Sequence, residues 1–234
     1  MVSTAEINRL GQALRERRVT SVDLELLGRL YRDLSKTEEL VSTSLIECTK
    51  AFEASVSSRV KNSKTIEEKL QRLGSKLGSM RDLVGCRVVV QGDRFRQYEV
   101  LLAVVTHFQD HEPKLINRIA DPRVGYRALH LEIRHHGQRC EIQIRTHLQH
   151  DWARSMEMFA DIVGNGVKYK PGWTFPGLPS SRRLEANYLL EDFMRWSDAI
   201  HRLESFGDVR NVRDEVEELA NKCKSRMGEL NDWL

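Results

Sequence analysis

The chain has 234 residues, 40% of them hydrophobic and 30% charged, which excludes a disordered or fibrous protein and describes a soluble globular one. Its 37 lysines and arginines against 34 aspartates and glutamates leave a net charge of +3, suited to anionic ligands but too small to name nucleic acid by itself. Four scattered cysteines without a CxxC spacing give neither a disulfide framework nor a zinc site. With a charged N-terminal stretch and no apolar run near spanning length, the expectation is a cytoplasmic protein in a reducing compartment, with no membrane partner.

Residues 1–20 are polar and read as frayed or a short helix. From Ser21, placed to cap, Leu27, Leu30, Tyr31 and Leu34 recur at helical steps, and Val41, Leu45, Cys48, Phe52 and Val56 continue as a second stripe. Residues 57–80 are strongly basic, with Arg59, Lys61, Lys64, Lys69, Arg72 and Lys76. Such a run is usually a solvated helix face. The sharper reading is a phosphate-binding strip: Arg59 and Lys61 two apart on extended backbone, and Lys69 in a helix opened by Thr65.

Leu83 to Val90 reads as a strand with a buried run Val88-Val89-Val90, Asp82 standing at its mouth. After a turn at 91–94, Tyr98, Leu101, Leu102, Val105 and Phe108 form the inner stripe of a helix. Residues 111–124 predict an irregular loop or partial strand. His130 to Arg134 turns at His136-Gly137 into Arg139 to Thr146, a hairpin. A helix over Leu148 to Ala160 buries Leu148, Trp152, Met156 and Phe159, with Ala153 and Glu157 on another side. Residues 164–181 form a long loop in which Trp173 and Phe175 are expected to pack. Leu189, Phe193, Trp196, Ile200 and Leu203, then Val212, Val216, Leu219, Cys223, Met227 and Leu230, line two closing helices suited to a hairpin or to self-association.

The fold class expected is α+β, a small mixed sheet flanked by helices. In Glu141-Ile142-Gln143-Ile144-Arg145 the alternation sends Glu141, Gln143 and Arg145 to one face. Asp82 and Glu141 are the carboxylates placed at strand positions beside glycine-bearing turns. Two such groups on neighbouring strands hold Mg²⁺ when substrate phosphates complete its octahedron. Equally, each carboxylate would serve a structural ion pair with Arg87 or Arg145. His147 and His150, three apart before Asp151, lack the further ligands that a metal site needs.

Four segments in series, RVKNSKTIEEKL, RDLVGCRVVV, GYRALH and EIQIRTHLQHDWA, resemble the synthetase domain of the RelA/SpoT family, in size a small alarmone synthetase. The resemblance covers roughly residues 40–170. It implies a nucleotidyltransferase-like mixed sheet and Mg²⁺-dependent transfer of the β,γ-pyrophosphate of ATP to a ribose 3′-hydroxyl. Three segments follow from it: a helical extension over 1–56, a pyrophosphokinase core over 57–170, and a loop with helical hairpin over 171–234, forming one compact domain.

Carried over by position, Arg59 and Lys61 embrace the adenine of ATP, with Lys69 and Arg87 completing the ATP site. Asp82 binds Mg²⁺, and Glu141 holds the metal or deprotonates the attacking hydroxyl. Tyr126 stacks on the acceptor base, Arg127 and His130 lie near acceptor phosphates, and Gln143, Arg145 and Ala153 line the site.

The chain departs from the pattern in three places. Val124 stands where guanine-specific members carry asparagine, which can hydrogen-bond a base edge. Arg118 and Arg123 stand in for lysines of the preceding loop, and Met158 replaces a histidine after Glu157. The acceptor expected is GDP or GTP. The alternatives are the 3′-terminal adenosine of tRNA, as in a toxic branch neutralised by an antitoxin, and a nucleotide- or RNA-binding module without turnover.

Overall fold

The computed structural model describes residues 2–170, 172–207 and 210–231. Its contacts divide the chain into two units drawn from interleaved stretches. The first takes Met1–Val88, Val100–Ile116 and His130–Ile144; the second takes Val89–Glu99, Asn117–Leu129 and Arg145–Leu234. The segments expected from sequence are contiguous, whereas these units are not.

In the first unit, helix α1 (Thr4–Glu16) is a closed helix and not a frayed end. Ser3 and Glu6 form a reciprocal capping box that satisfies two of its orphan N–H groups. Helix α2 (Ser21–Thr49) is likewise capped by Thr20 with Asp23, one residue before the expected cap. It runs unbroken for 29 residues, burying Leu26, Leu30, Leu34, Val41 and Leu45 in one stripe. The second helical stripe ends there. A short 3₁₀ turn over Lys50–Phe52 and a left-handed Glu53 redirect the chain into strand β1 (Ala54–Val60), which packs against α2, so Val56 is a strand residue. Helix α3 (Ser63–Leu73) opens at Asn62, whose side chain accepts from the Thr65 N–H at 2.9 Å, three residues before the expected start.

Strands β2 (Val84–Val90), β3 (Lys114–Asn117), β4 (Leu129–His135) and β5 (Gln138–Thr146) complete a mixed sheet in the order β1-β2-β5-β4-β3. Burial alternates along the central strands. Val84, Cys86, Val88, Leu131, Ile133, Cys140 and Ile142 are buried, while Gly85, Arg87, His130, Glu132, Glu141 and Gln143 are half-buried between them. The valine run is therefore two-sided: Val88 and Val90 are buried and Val89 is not. The β4–β5 hairpin turns at His136 and Gly137 with φ of 47° and 72°, both positive as a two-residue type I′ turn demands.

Helix α4 (Arg94–His107) buries Val100, Leu101 and Val104, followed by Phe108, whereas Tyr98 and Leu102 are exposed. The buried stripe is shifted from the expected one and includes Gln97, which is fully buried in a polar contact.

The second unit is built on helices α5 (His147–Val163), α6 (Ser180–Phe206) and α7 (Arg210–Asn231), the last two forming the expected hairpin. Phe159 stacks on Phe193 at 5.4 Å between ring centroids, among Trp152, Met156, Trp196 and Ile200. Ala153 belongs to this core as well. Phe175 from the long loop is fully buried there, as its packing role requires. Among the described residues no helix is long and apolar enough to cross a membrane.

Candidate functional site

The end of β1, helix α3 and the mouth of β2 meet at one carboxylate. Lys61 leaves β1 with its backbone N–H bound to the Leu83 carbonyl at 2.9 Å, which sets it beside the start of β2. Its Nζ donates to Asp82 Oδ2 at 2.7 Å, and Lys69 Nζ, from the second turn of α3, donates to Asp82 Oδ1 at 2.6 Å. Burial alone would raise the Asp82 carboxyl. Hydrogen bonds and charge from the two ammonium groups outweigh it and hold the group below its ordinary value.

Glu141, on β5, is held differently. His130 Nδ1, from β4, lies 3.0 Å from its Oε1, and Gln143 Nε2 donates to its Oε2 at 2.9 Å. Burial again pushes the carboxyl upward, but the hydrogen bond and charge of His130, with help from Gln143, bring it below the usual range. Asp82 is near enough for its charge to oppose that shift. Both carboxylates are thus ionised at neutral pH within one cleft of about 130 Å³, lined by Ser57, Arg59, Lys61, Asp82, Gly85, Arg87, Glu141 and Gln143. Four cationic side chains around two carboxylates suit an anion that arrives with a divalent ion.

Eight of the expected site residues therefore gather in the first unit: Arg59, Lys61, Lys69, Asp82, Arg87, His130, Glu141 and Gln143. Tyr126, Arg127, Arg145 and Ala153 belong to the second. There the Tyr126 hydroxyl accepts from Arg145 at 2.9 Å, and the Arg145 guanidinium sits 5.0 Å from the ring centroid, a cation–π distance. Arg127 donates to Ser197 at 3.2 Å, to the Ile119 carbonyl at 3.0 Å and to Asp198 at 2.7 Å. Arg118 pairs with Asp121 at 2.6 Å.

Sequence reading missed two features. Glu132, on the same face of β4 as His130, pairs with Arg81 at 2.8 Å, and period-two alternation from His130 would have found it. Ser197 and Asp198, on α6, carry no local signal, since their partners are 70 residues away.

The donor set suits Mg²⁺. Asp82 and Glu141 offer hard carboxylate oxygens, and this ion commonly takes only one or two of these beside substrate phosphates. Among the described residues no group of three or more His, Cys, Asp or Glu gathers as a self-sufficient metal cage.

A mixed five-stranded sheet preceded and followed by helices places the protein among α+β domains. Residues 58–160 match the model of the region found in RelA and SpoT proteins. Uncharacterized proteins of Mycobacterium tuberculosis and Mycobacterium bovis are 35% identical over 120 residues, 51% of this chain and 44% of theirs. The chain thus spans under half the length of the curated relatives it matches. Its fold is similar to that of small alarmone synthetase 1 from Bacillus subtilis bound to its product pppGpp, with a TM-score of 0.59 and 19% identity over 85% of this chain and 98% of that one. A GTP pyrophosphokinase family protein from Streptococcus pneumoniae aligns with a TM-score of 0.53 and 18% identity over 87% and 98%. Residues 58–160 are thus similar to the region found in RelA and SpoT proteins.

Proposed function

We propose that this domain transfers pyrophosphate from ATP to the ribose 3′-hydroxyl of a guanosine nucleotide. The observation that carries the reading is the pair of ionised carboxylates, Asp82 and Glu141, in one cleft with Arg59, Lys61, Lys69 and Arg87. A structural ion pair has no use for that many cations around two carboxylates. The match of residues 58–160 to the region found in RelA and SpoT proteins supports the reaction type, and the product named for the Bacillus subtilis neighbour supports the acceptor.

In this reading Arg59 and Lys61 hold the adenine end of ATP, while Lys69 and Arg87 hold its phosphates. The 3′-oxygen of the acceptor attacks the β-phosphorus. The bond from that phosphorus to the α,β-bridging oxygen breaks, AMP leaves, and the hydroxyl proton passes to Glu141. Asp82 and, where it does not serve as the base, Glu141 would hold Mg²⁺, which would supply charge neutralisation for the triphosphate. Glu141 is a weak base because its carboxyl is held low, so positioning and charge do most of the catalysis. Tyr126 stacks on the acceptor base, with Arg127 and Arg145 beside it.

A second reading, transfer to the 3′-terminal adenosine of tRNA, is favoured by one observation. Val124, two residues before Tyr126, has no group with which to read a guanine edge. The test is incubation with Mg²⁺ and ATP labelled at the β- or γ-phosphate, against GDP, GTP and deacylated tRNA in parallel. Label on GDP or GTP supports the first reading and label on tRNA alone supports the second. No transfer to any acceptor overturns both.

A further inference from the structure

Arg145 holds the Tyr126 ring at its hydroxyl, and the backbone that carries the ring follows a tight turn. Val124 and Gly125 form a two-residue turn with φ of 48° and 78°, closed by the Tyr126 N–H on the Arg123 carbonyl at 3.0 Å. What fixes this turn comes from α6. The Ser197 hydroxyl donates to the Gly125 carbonyl and accepts from Arg127 Nε, so one buried side chain binds the residues on both sides of Tyr126. The next residue, Asp198, accepts from the far end of the same guanidinium, which also donates to the Ile119 carbonyl across the loop.

The fit is close. A Cβ on Gly125 would lie 2.9 Å from the Trp152 ring, 3.1 Å from Met194 Sδ and 3.3 Å from Ser197 Cβ. All of these groups belong to the second unit. Helix α6 lies outside the residues matched by the family model, so its part in the site cannot be carried over from that match.

We infer that Ser197 and Asp198 are positioning residues for the acceptor: they act through Gly125 and Arg127 to hold the Tyr126 ring in its stacking position. This rests on the pyrophosphate-transfer reading. Stacking on an aromatic ring depends on its orientation, and a flanking backbone free to rotate would have to be ordered afresh at each binding event. The clamp acts on the acceptor half of the reaction, because its contacts are to Gly125 and Arg127, on either side of Tyr126.

The test uses the full chain and two variants, Ser197→Ala and Asp198→Ala. The Asp198 side chain is 64% exposed, so its removal does not open the core. Initial rates are measured with ATP and acceptor varied separately, using GDP, or deacylated tRNA if GDP takes no label. Calorimetry gives acceptor affinity independently of turnover. The expected result is an acceptor KM and Kd raised about tenfold, an ordinary consequence of losing a positioning hydrogen bond, with the KM for ATP unmoved. Asp198→Asn, which still accepts from Arg127, should restore most of the affinity. An unchanged acceptor KM in a chain that transfers label overturns the inference alone, and so does an equal rise in both KM values, the mark of general loosening. Absence of transfer in the parent chain overturns the functional reading beneath it.

Discussion

Asp82 has an ammonium group on each of its two oxygens, and a divalent ion needs at least one of them. At least one lysine must then be drawn off, and for Lys69 the triphosphate oxygens are the natural competitor. Lys69→Met should therefore tighten metal and loosen ATP at once. Mn²⁺ affinity without nucleotide, read by electron paramagnetic resonance, is expected to rise by about tenfold, and ATP affinity to fall by at least as much. Parallel losses of both would show that Lys69 serves only to hold the local fold. Asp82→Asn and Glu141→Gln should each cost at least about a hundredfold in transfer rate with the circular dichroism spectrum unchanged. Val124 poses a different residue-scale question. A β-branched residue at positive φ is strained, whereas Asn-Gly is the preferred pair for this turn. Val124→Asn should stabilise the protein by about 1 kcal/mol in urea denaturation, and it adds an amide beside the acceptor position. No stabilisation would mean that the turn relaxes without strain.

Elements with one clean period were legible. The α6–α7 hairpin announced itself through Phe193, Trp196 and Ile200 facing Val216, Cys223 and Met227, and the β4–β5 hairpin through its His136-Gly137 turn. Glu141 stands on β5 as its alternation predicts, and Asp82 lies two residues before β2, at the mouth expected for it. The passage from α2 to β1 was not legible, because Phe52 and Val56 satisfy a helical step and Val56 satisfies strand alternation too. Nor were polar residues that fold inward. Glu204 of α6 reads as surface, yet it accepts from Thr146 Oγ1, from Gln149 Nε2 at 2.8 Å and from Arg94 at 3.2 Å, tying α6 to the capped start of α5 and to the first turn of α4. Gln97 and Gln149 join this network amide to amide. Glu204→Ala should destabilise by about 3–5 kcal/mol, since it strands a largely buried guanidinium, and Glu204→Gln by clearly less. Equal losses for the two variants would locate the cost in packing and not in charge.

At the scale of the whole molecule these local shifts add into one pH dependence. Asp82 and Glu141 have folded values below their unfolded ones, near 3.9 and 4.3. Their stabilisation is complete above that range and disappears as pH falls through the lower folded values. Two histidines act earlier. His201 is held below its ordinary value by burial, then by the charges of Arg127 and Arg94, against a smaller opposing pull from Asp198. Arg94 donates to its Nδ1 at 3.0 Å, a bond that only a ring unprotonated at that nitrogen can accept. His135 is lowered by burial and by the neighbouring His111, stacked on it at 4.6 Å, and His136. An unfolded histidine takes its proton near pH 6.5 while these two resist it, so below that pH the unfolded chain gains protons that the fold refuses. Stability should be level between about pH 7 and 8 and decline below about 6.5 by less than about 1.4 kcal/mol per pH unit for each histidine, solvent screening reducing the slope at these half-exposed rings, with a second decline below about pH 4. Urea midpoints measured between pH 3.5 and 8 would resolve the two limbs. His201→Gln keeps a carbonyl to accept from Arg94 and removes the titration, so it should flatten the upper limb and leave the lower one in place. An upper limb unchanged in that variant would remove His201 from the account and assign the slope to His135.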